Sequence, residues 1–124
     1  MCYIKIAGEN MGQYIDEFKR GATELLVLHL LSKEDMYGYQ ITHTLEEMTD
    51  GGYTLLEGTL YPILYKLEDS GCITSYGVKS GARRVRKYYH LEEPGTRRYK
   101  EMLKDYKFIT DCIFGVLSED KSHE

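Results

Sequence analysis

The side chains best placed for chemistry in this sequence are phenols and cations. The stretch EGTLYPILYKLEDSGCI, Glu57 to Ile73, carries Tyr61, Tyr65 and Lys66. Leu60, Ile63, Leu64 and Leu67 recur there at i, i+3, i+4 and i+7 and by themselves fill the core face of a helix. Tyr61, Tyr65 and Lys66 are therefore expected to project sideways or outward and to donate hydrogen bonds. Gly58 and Thr59 add backbone amides and a hydroxyl at the helix N-terminus, a geometry suited to a phosphate oxygen. Further on, Cys72 to Leu91 contains Lys79, Arg83, Arg84, Arg86 and Lys87 and no Asp or Glu, a local +5 within a chain of net charge -4. Tyrosines often cover core margins and a charge run is usually a solvated face. An acid-free cationic segment inside an acidic chain, however, is the footprint of a polyanion partner.

Other chemistries find little support. Cys2, Cys72 and Cys112 are odd in number and lack C-x-x-C spacing, which argues against a disulfide framework or a zinc site. His29, His43, His90 and His123 form no metal-ligand cluster, so no metal and no cofactor are expected. No nucleophile and base pair or phosphate loop marks an enzyme. The 124 residues suit one small domain with an appended helix. No apolar run approaches the roughly 20 residues of a membrane span, and the N-terminal stretch lacks signal-peptide features, so a cytoplasmic protein without membrane contact is expected.

The elements that must position the phenols and cations follow from periodicity. Asn10 and Gln13 resemble a capping box, and Met11, Tyr14, Ile15 and Phe18 form one apolar stripe. The pattern predicts a helix running on to about Ser32, with Leu25 to Leu31 its most buried part. A second helix in KEDMYGYQITHTLEEM, with Tyr39, Ile41, Leu45 and Met48 on its core side, should end before Gly51-Gly52. The third should start near Gly58 or Thr59, because Pro62 fits without penalty only in a first turn. This is a helix-turn-helix pattern. CITSYGV and RRVRKYYHL then alternate as strands of a two-stranded wing, with Tyr89 and Leu91 on one face, toward the core, and Arg84, Arg86 and Tyr88 on the other. The fold class is mainly α with a small β hairpin.

Pro94, preceded by Glu92 and Glu93, opens a last helix. Tyr99, Tyr106 and Ile113 share one heptad position on it and Met102, Ile109 and Val116 another. This seam either packs back on its own domain or meets its copy in a two-fold dimer, and the second is expected. Residues 1–92 then form a winged helix-turn-helix unit, and 93–124 a dimerisation helix and tail.

The blocks MYGYQI (Met36 to Ile41), GTLYPILYKLEDSGCI (Gly58 to Ile73) and RRVRKYYHL (Arg83 to Leu91) resemble, in order and spacing, the PadR family of transcriptional regulators, over roughly Phe18 to Leu117. The resemblance implies a homodimer that binds an inverted-repeat operator in double-stranded DNA, usually as a repressor, and is released by an effector. It makes Tyr37, Thr59, Tyr61, Lys66, Arg84 and Arg86 DNA contacts, beside which Gly58, Tyr65 and Arg83 stand as candidates. Some members of the family bind small flat aromatic or multidrug-like cations in a pocket between the first and last helices of the two subunits; the resemblance implies that Tyr106 stands where an aromatic residue is used there, with Tyr14, Phe18, Tyr99 and Met102 lining similar space. Glu92 departs from the family's usual capping threonine, though its carboxylate can cap, and Val85 stands where proline or arginine is common. The alternative is a winged-helix module that binds protein instead of DNA.

Overall fold

A computed structural model describes residues 12–118. It contains α1 (Ile15–Lys19), α2 (Thr23–Lys33), β1 (Met36–Tyr37), α3 (Gly38–Met48), α4 (Glu57–Asp69), β2 (Ile73–Ser80), β3 (Arg84–Leu91) and α5 (Glu93–Leu117). The three strands form one antiparallel sheet in the order β1-β3-β2.

The core is built where periodicity places it. Leu28, Ile41, Leu60, Leu64, Leu67 and Ile73 are fully buried, and Tyr89 closes the core from the sheet. Each such aliphatic side chain contributes roughly 1.5–3 kcal/mol on burial. Leu91 packs against the same cluster, so the hairpin leans on the helices through the face expected.

Several expectations need correction. The first helix is not continuous to Ser32. Gly21 adopts φ +82°, a left-handed conformation that glycine enters without steric cost, and it separates α1 from α2. The capping box at Asn10 lies outside the described residues. On α3, Ile41 and Leu45 are buried, but Tyr39 and Met48 are exposed, because the core-facing arc is narrower than four residues. Helix α4 starts at Glu57, which puts Pro62 in its second turn. Proline there removes the bond to the Gly58 carbonyl; Gly58 is exposed, so water can take that acceptor. The wing is not two-stranded either, since Met36 and Tyr37 pair with Tyr89 and Tyr88 as a third strand. A two-residue strand is too short to show alternation.

Helix α5 enters through Pro94, as expected, but Glu92 makes no side-chain cap. Its Oε2 accepts instead from the Thr74 hydroxyl at 2.7 Å, while its backbone N–H donates to the Cys72 carbonyl at 2.9 Å. The first turns of α5 dock on α2: His29 Nδ1 and the Tyr99 hydroxyl are 2.6 Å apart, and the Arg98 guanidinium donates to Glu24.

One polar cluster pins the sheet to the end of α2. The Tyr76 hydroxyl and His90 Nδ1 both donate to the Asp35 carboxylate, at 2.6 and 2.8 Å. The hydrogen bond from Tyr76, followed by that from His90, lowers the Asp35 pKa, and the bond to Asp35, with nearby Glu92, raises that of His90. The Asp35 contribution to stability is present above the ordinary carboxylate range and is lost as pH falls through its lowered pKa. The His90 contribution is full below about pH 6.5 and is lost as pH rises through the raised value. Urea unfolding of wild type and His90→Gln should therefore differ most at mildly acidic pH and converge well above neutrality. A difference independent of pH would show that the ion pair adds nothing.

Candidate nucleic-acid interface

Three elements bring the candidate residues together. Tyr37 ends β1, Tyr61 and Tyr65 project one turn apart from α4, and Arg84 and Arg86 lie along β3. All five line one open cleft of about 640 Å³ between the start of α3, α4 and the wing, together with Tyr39 and Tyr89. Beyond its short pairing with β1, β3 lines this cleft with Arg84 and Arg86, which share it with the tyrosines of α4.

Tyr37 and Tyr61 are half-buried rather than sealed. Tyr61 packs against the core with one side, and burial, then nearby Glu57, raises its pKa. Its ring lies against Gly38, where an added Cβ would sit 2.3 Å from the Tyr61 hydroxyl. The glycine of MYGYQI is thus what lets α3 and α4 close around Tyr61. Tyr65 is 58% exposed, with its ring 6.1 Å from that of Tyr61. The Tyr37 ring lies tilted against that of Tyr88, with centroids 5.2 Å apart, and the Arg86 guanidinium lies 4.6 Å from the centroid of the Tyr37 ring. Such a cation–π contact contributes roughly 0.5–1 kcal/mol at an exposed site, and it orients the arginine while leaving its N–H donors available.

The remaining candidates lie outside the cleft. Thr59 and Lys66 are exposed on α4 and Arg83 is exposed in the β2–β3 turn. The amide of Thr59 is not free as expected, because it donates to the Leu56 carbonyl at 3.0 Å. No side chain caps α4, so Gly58's amide and Thr59's hydroxyl are the donors at that end, and Glu57 adds an acid in the first turn. Sequence reasoning missed Tyr39 as a cleft residue, since its apolar ring was assigned to the core. Its exposure and its stacking on His43 place it on the open surface.

The heptad seam divides in two. Tyr99 and Met102 pack on their own domain, whereas Tyr106, Ile109, Ile113 and Val116 are exposed, Val116 to 73%. Within this single chain Tyr14 and Phe18 are also exposed, and Tyr99 is committed to His29, so the five residues grouped as an effector pocket do not enclose one here.

The helix, strand and hairpin order from α2 to β3 defines a winged helix-turn-helix protein. Residues 27–101 match the model of the transcriptional regulator PadR-like family. The chain belongs to that family of transcriptional regulators. A PadR family transcriptional regulator from Eggerthella lenta superposes with a TM-score of 0.74 at 30% identity, over 85% of this chain and 89% of that one. A transcriptional regulator from Clostridium thermocellum gives 0.73 at 31% identity, over 78% and 94%. The negative transcriptional regulator PadR of Bacillus subtilis is 29% identical over 87 residues, 70% of this chain; the chain spans only 48% of that protein's length. Among the described residues, no helix is long and apolar enough to cross a membrane.

Proposed function

We propose that this chain binds an inverted-repeat operator in duplex DNA as a homodimer and acts as a repressor released by an effector. The observation that carries the reading is the common cleft: phenols of the recognition helix α4 and guanidinium groups of the wing line a single concavity. In this reading residues 1–92 hold the DNA and 93–124 the dimer contact. The N-terminal end of α4 enters the major groove, with Gly58, Thr59, Tyr61, Tyr65 and Lys66 near base edges and phosphates. Glu57 repels phosphate but can accept from a cytosine amino group, which favours base contact at that end. Arg83, Arg84 and Arg86 reach phosphates or the neighbouring minor groove, and Tyr37 holds Arg86 in place. The repressor assignment is supported by the negative regulator of Bacillus subtilis among the relatives. An effector site built from Tyr14, Phe18, Tyr99, Met102 and Tyr106 requires the second protomer to complete it.

The test is salt dependence. Binding of a duplex selected from a random pool should weaken linearly on a log-log salt plot. In Arg84→Ala/Arg86→Ala the slope should fall by roughly 0.9 for each phosphate that the wing no longer neutralises. An unchanged slope removes the wing from the mechanism, and an absence of duplex binding at low salt removes the reading.

A further inference from the structure

The cleft wall contains a hydrogen-bond donor that no group among the described residues uses. Tyr89 is 1% exposed, and its hydroxyl is buried with no hydrogen-bond partner among the described residues. A buried hydroxyl left unsatisfied destabilises the fold. Burial, with Tyr61, Glu68 and Tyr65 beside it, pushes the Tyr89 phenol up to about 12, so the oxygen keeps its proton at neutral pH. Glu68, the acid on this side, is already engaged: it accepts from Ser75 at 2.6 Å and faces Lys87 at 3.8 Å.

We propose that the cleft is a binding site for a small phosphate ester, held by Arg84 and Arg86 and by the phenols of Tyr61 and Tyr65, with the Tyr89 hydroxyl donating from its floor. Two cations and several phenolic donors exceed what the two oxygens of a carboxylate can accept, whereas the three terminal oxygens of a phosphate can use them. The cleft, at about 640 Å³, lies within the 300–1,000 Å³ of small-molecule sites and is much larger than a bare phosphate. The phosphate is therefore carried on a body the size of a nucleoside. The Tyr89 hydroxyl is buried beside Tyr61 and Tyr65, and in the proposed complex the more exposed Tyr65 ring swings aside to admit the ligand. The ligand would occupy the surface assigned above to DNA, so it would compete with the operator; that consequence rests on the DNA reading, while the binding does not.

Calorimetric titration of the full chain with AMP, adenosine and inorganic phosphate tests the proposal. AMP should bind saturably, adenosine should not bind, and inorganic phosphate should bind more weakly than AMP. Tyr89→Phe should weaken AMP by about tenfold, the loss of one hydrogen bond to a charged group. The same variant should melt at the wild-type temperature or above, because an unsatisfied hydroxyl has been removed, so lost binding would not reflect unfolding. Equal binding of adenosine, inorganic phosphate as tight as AMP, no saturation by AMP, or an unchanged affinity in Tyr89→Phe would each overturn the site. No duplex is present in these titrations, so a failure of DNA binding leaves their outcome intact. In a separate arm, AMP should displace labelled duplex from wild type more effectively than from Tyr89→Phe.

Discussion

A chain carrying Ile109→Glu and Ile113→Glu should be folded, monomeric and at least about 100-fold weaker for a palindromic operator. Both isoleucines are about half exposed on α5, at 49% and 50% in the isolated protomer, so glutamate there meets solvent rather than the core. In a dimer built on the seam, four introduced carboxylates would face one another in an apolar contact, where unpaired charge is strongly disfavoured. Losing the second subunit converts bivalent binding to monovalent binding, which supplies the expected fall in affinity. Sedimentation would report the mass, circular dichroism the fold, and anisotropy the affinity. A variant that still sediments as a dimer would exclude the seam as the contact, and one that is monomeric yet binds as tightly as wild type would exclude the bivalent mechanism.

Gly95→Ala should lower the melting temperature by roughly 10 °C, corresponding to a loss of about 2 kcal/mol. Alanine normally improves a helix interior by about 1 kcal/mol over glycine, so the expected sign is opposite to propensity. The reason is contact. A Cβ at Gly95 would lie 2.2 Å from the Cys72 carbonyl oxygen and 2.6 Å from Leu91 Cδ1. The carbonyl is backbone, held by the Glu92 N–H, and cannot swing aside as a side-chain end can. Gly115→Ala, in the same helix with open space around its position, is the matched control and should be neutral or stabilising. If both variants melt alike, the packing of α5 against the backbone between α4 and β2 has no energetic weight.

Much of this arrangement was legible in the residues because it depends on period. Ile41 with Leu45, the four apolar positions of α4, and Tyr89 with Leu91 declare their buried faces by spacing alone, and the three sequence blocks declare the family. The missed features depend on contacts between distant segments. Nothing local to Met36–Tyr37 announces a strand, because its pairing partner lies some fifty residues on in β3. Pro62 argued for a later helix start, but an exposed carbonyl at Gly58 tolerates the missing bond. Tyr39 is apolar enough to be read as core, yet it stands exposed beside Gly38, against which Tyr61 packs at the cleft. The orphaned hydroxyl of Tyr89 and the Asp35, Tyr76 and His90 cluster arise only once three strands and the end of α2 meet.

The docking of α5 has a geometrical consequence for any two-fold assembly. Its 25 residues make a shaft about 37 Å long, clamped at its base by Gly95, Arg98 and Tyr99 and free beyond Met102. A clamped shaft transmits rotation. One residue inserted after Met102 would turn the far seam by about 100° relative to the recognition helices, whereas seven would lengthen it by two turns and restore the phase to within about 20°. In such an assembly the distance between the two α4 helices would be adjustable only in near-whole-turn steps, as with the teeth of a gear.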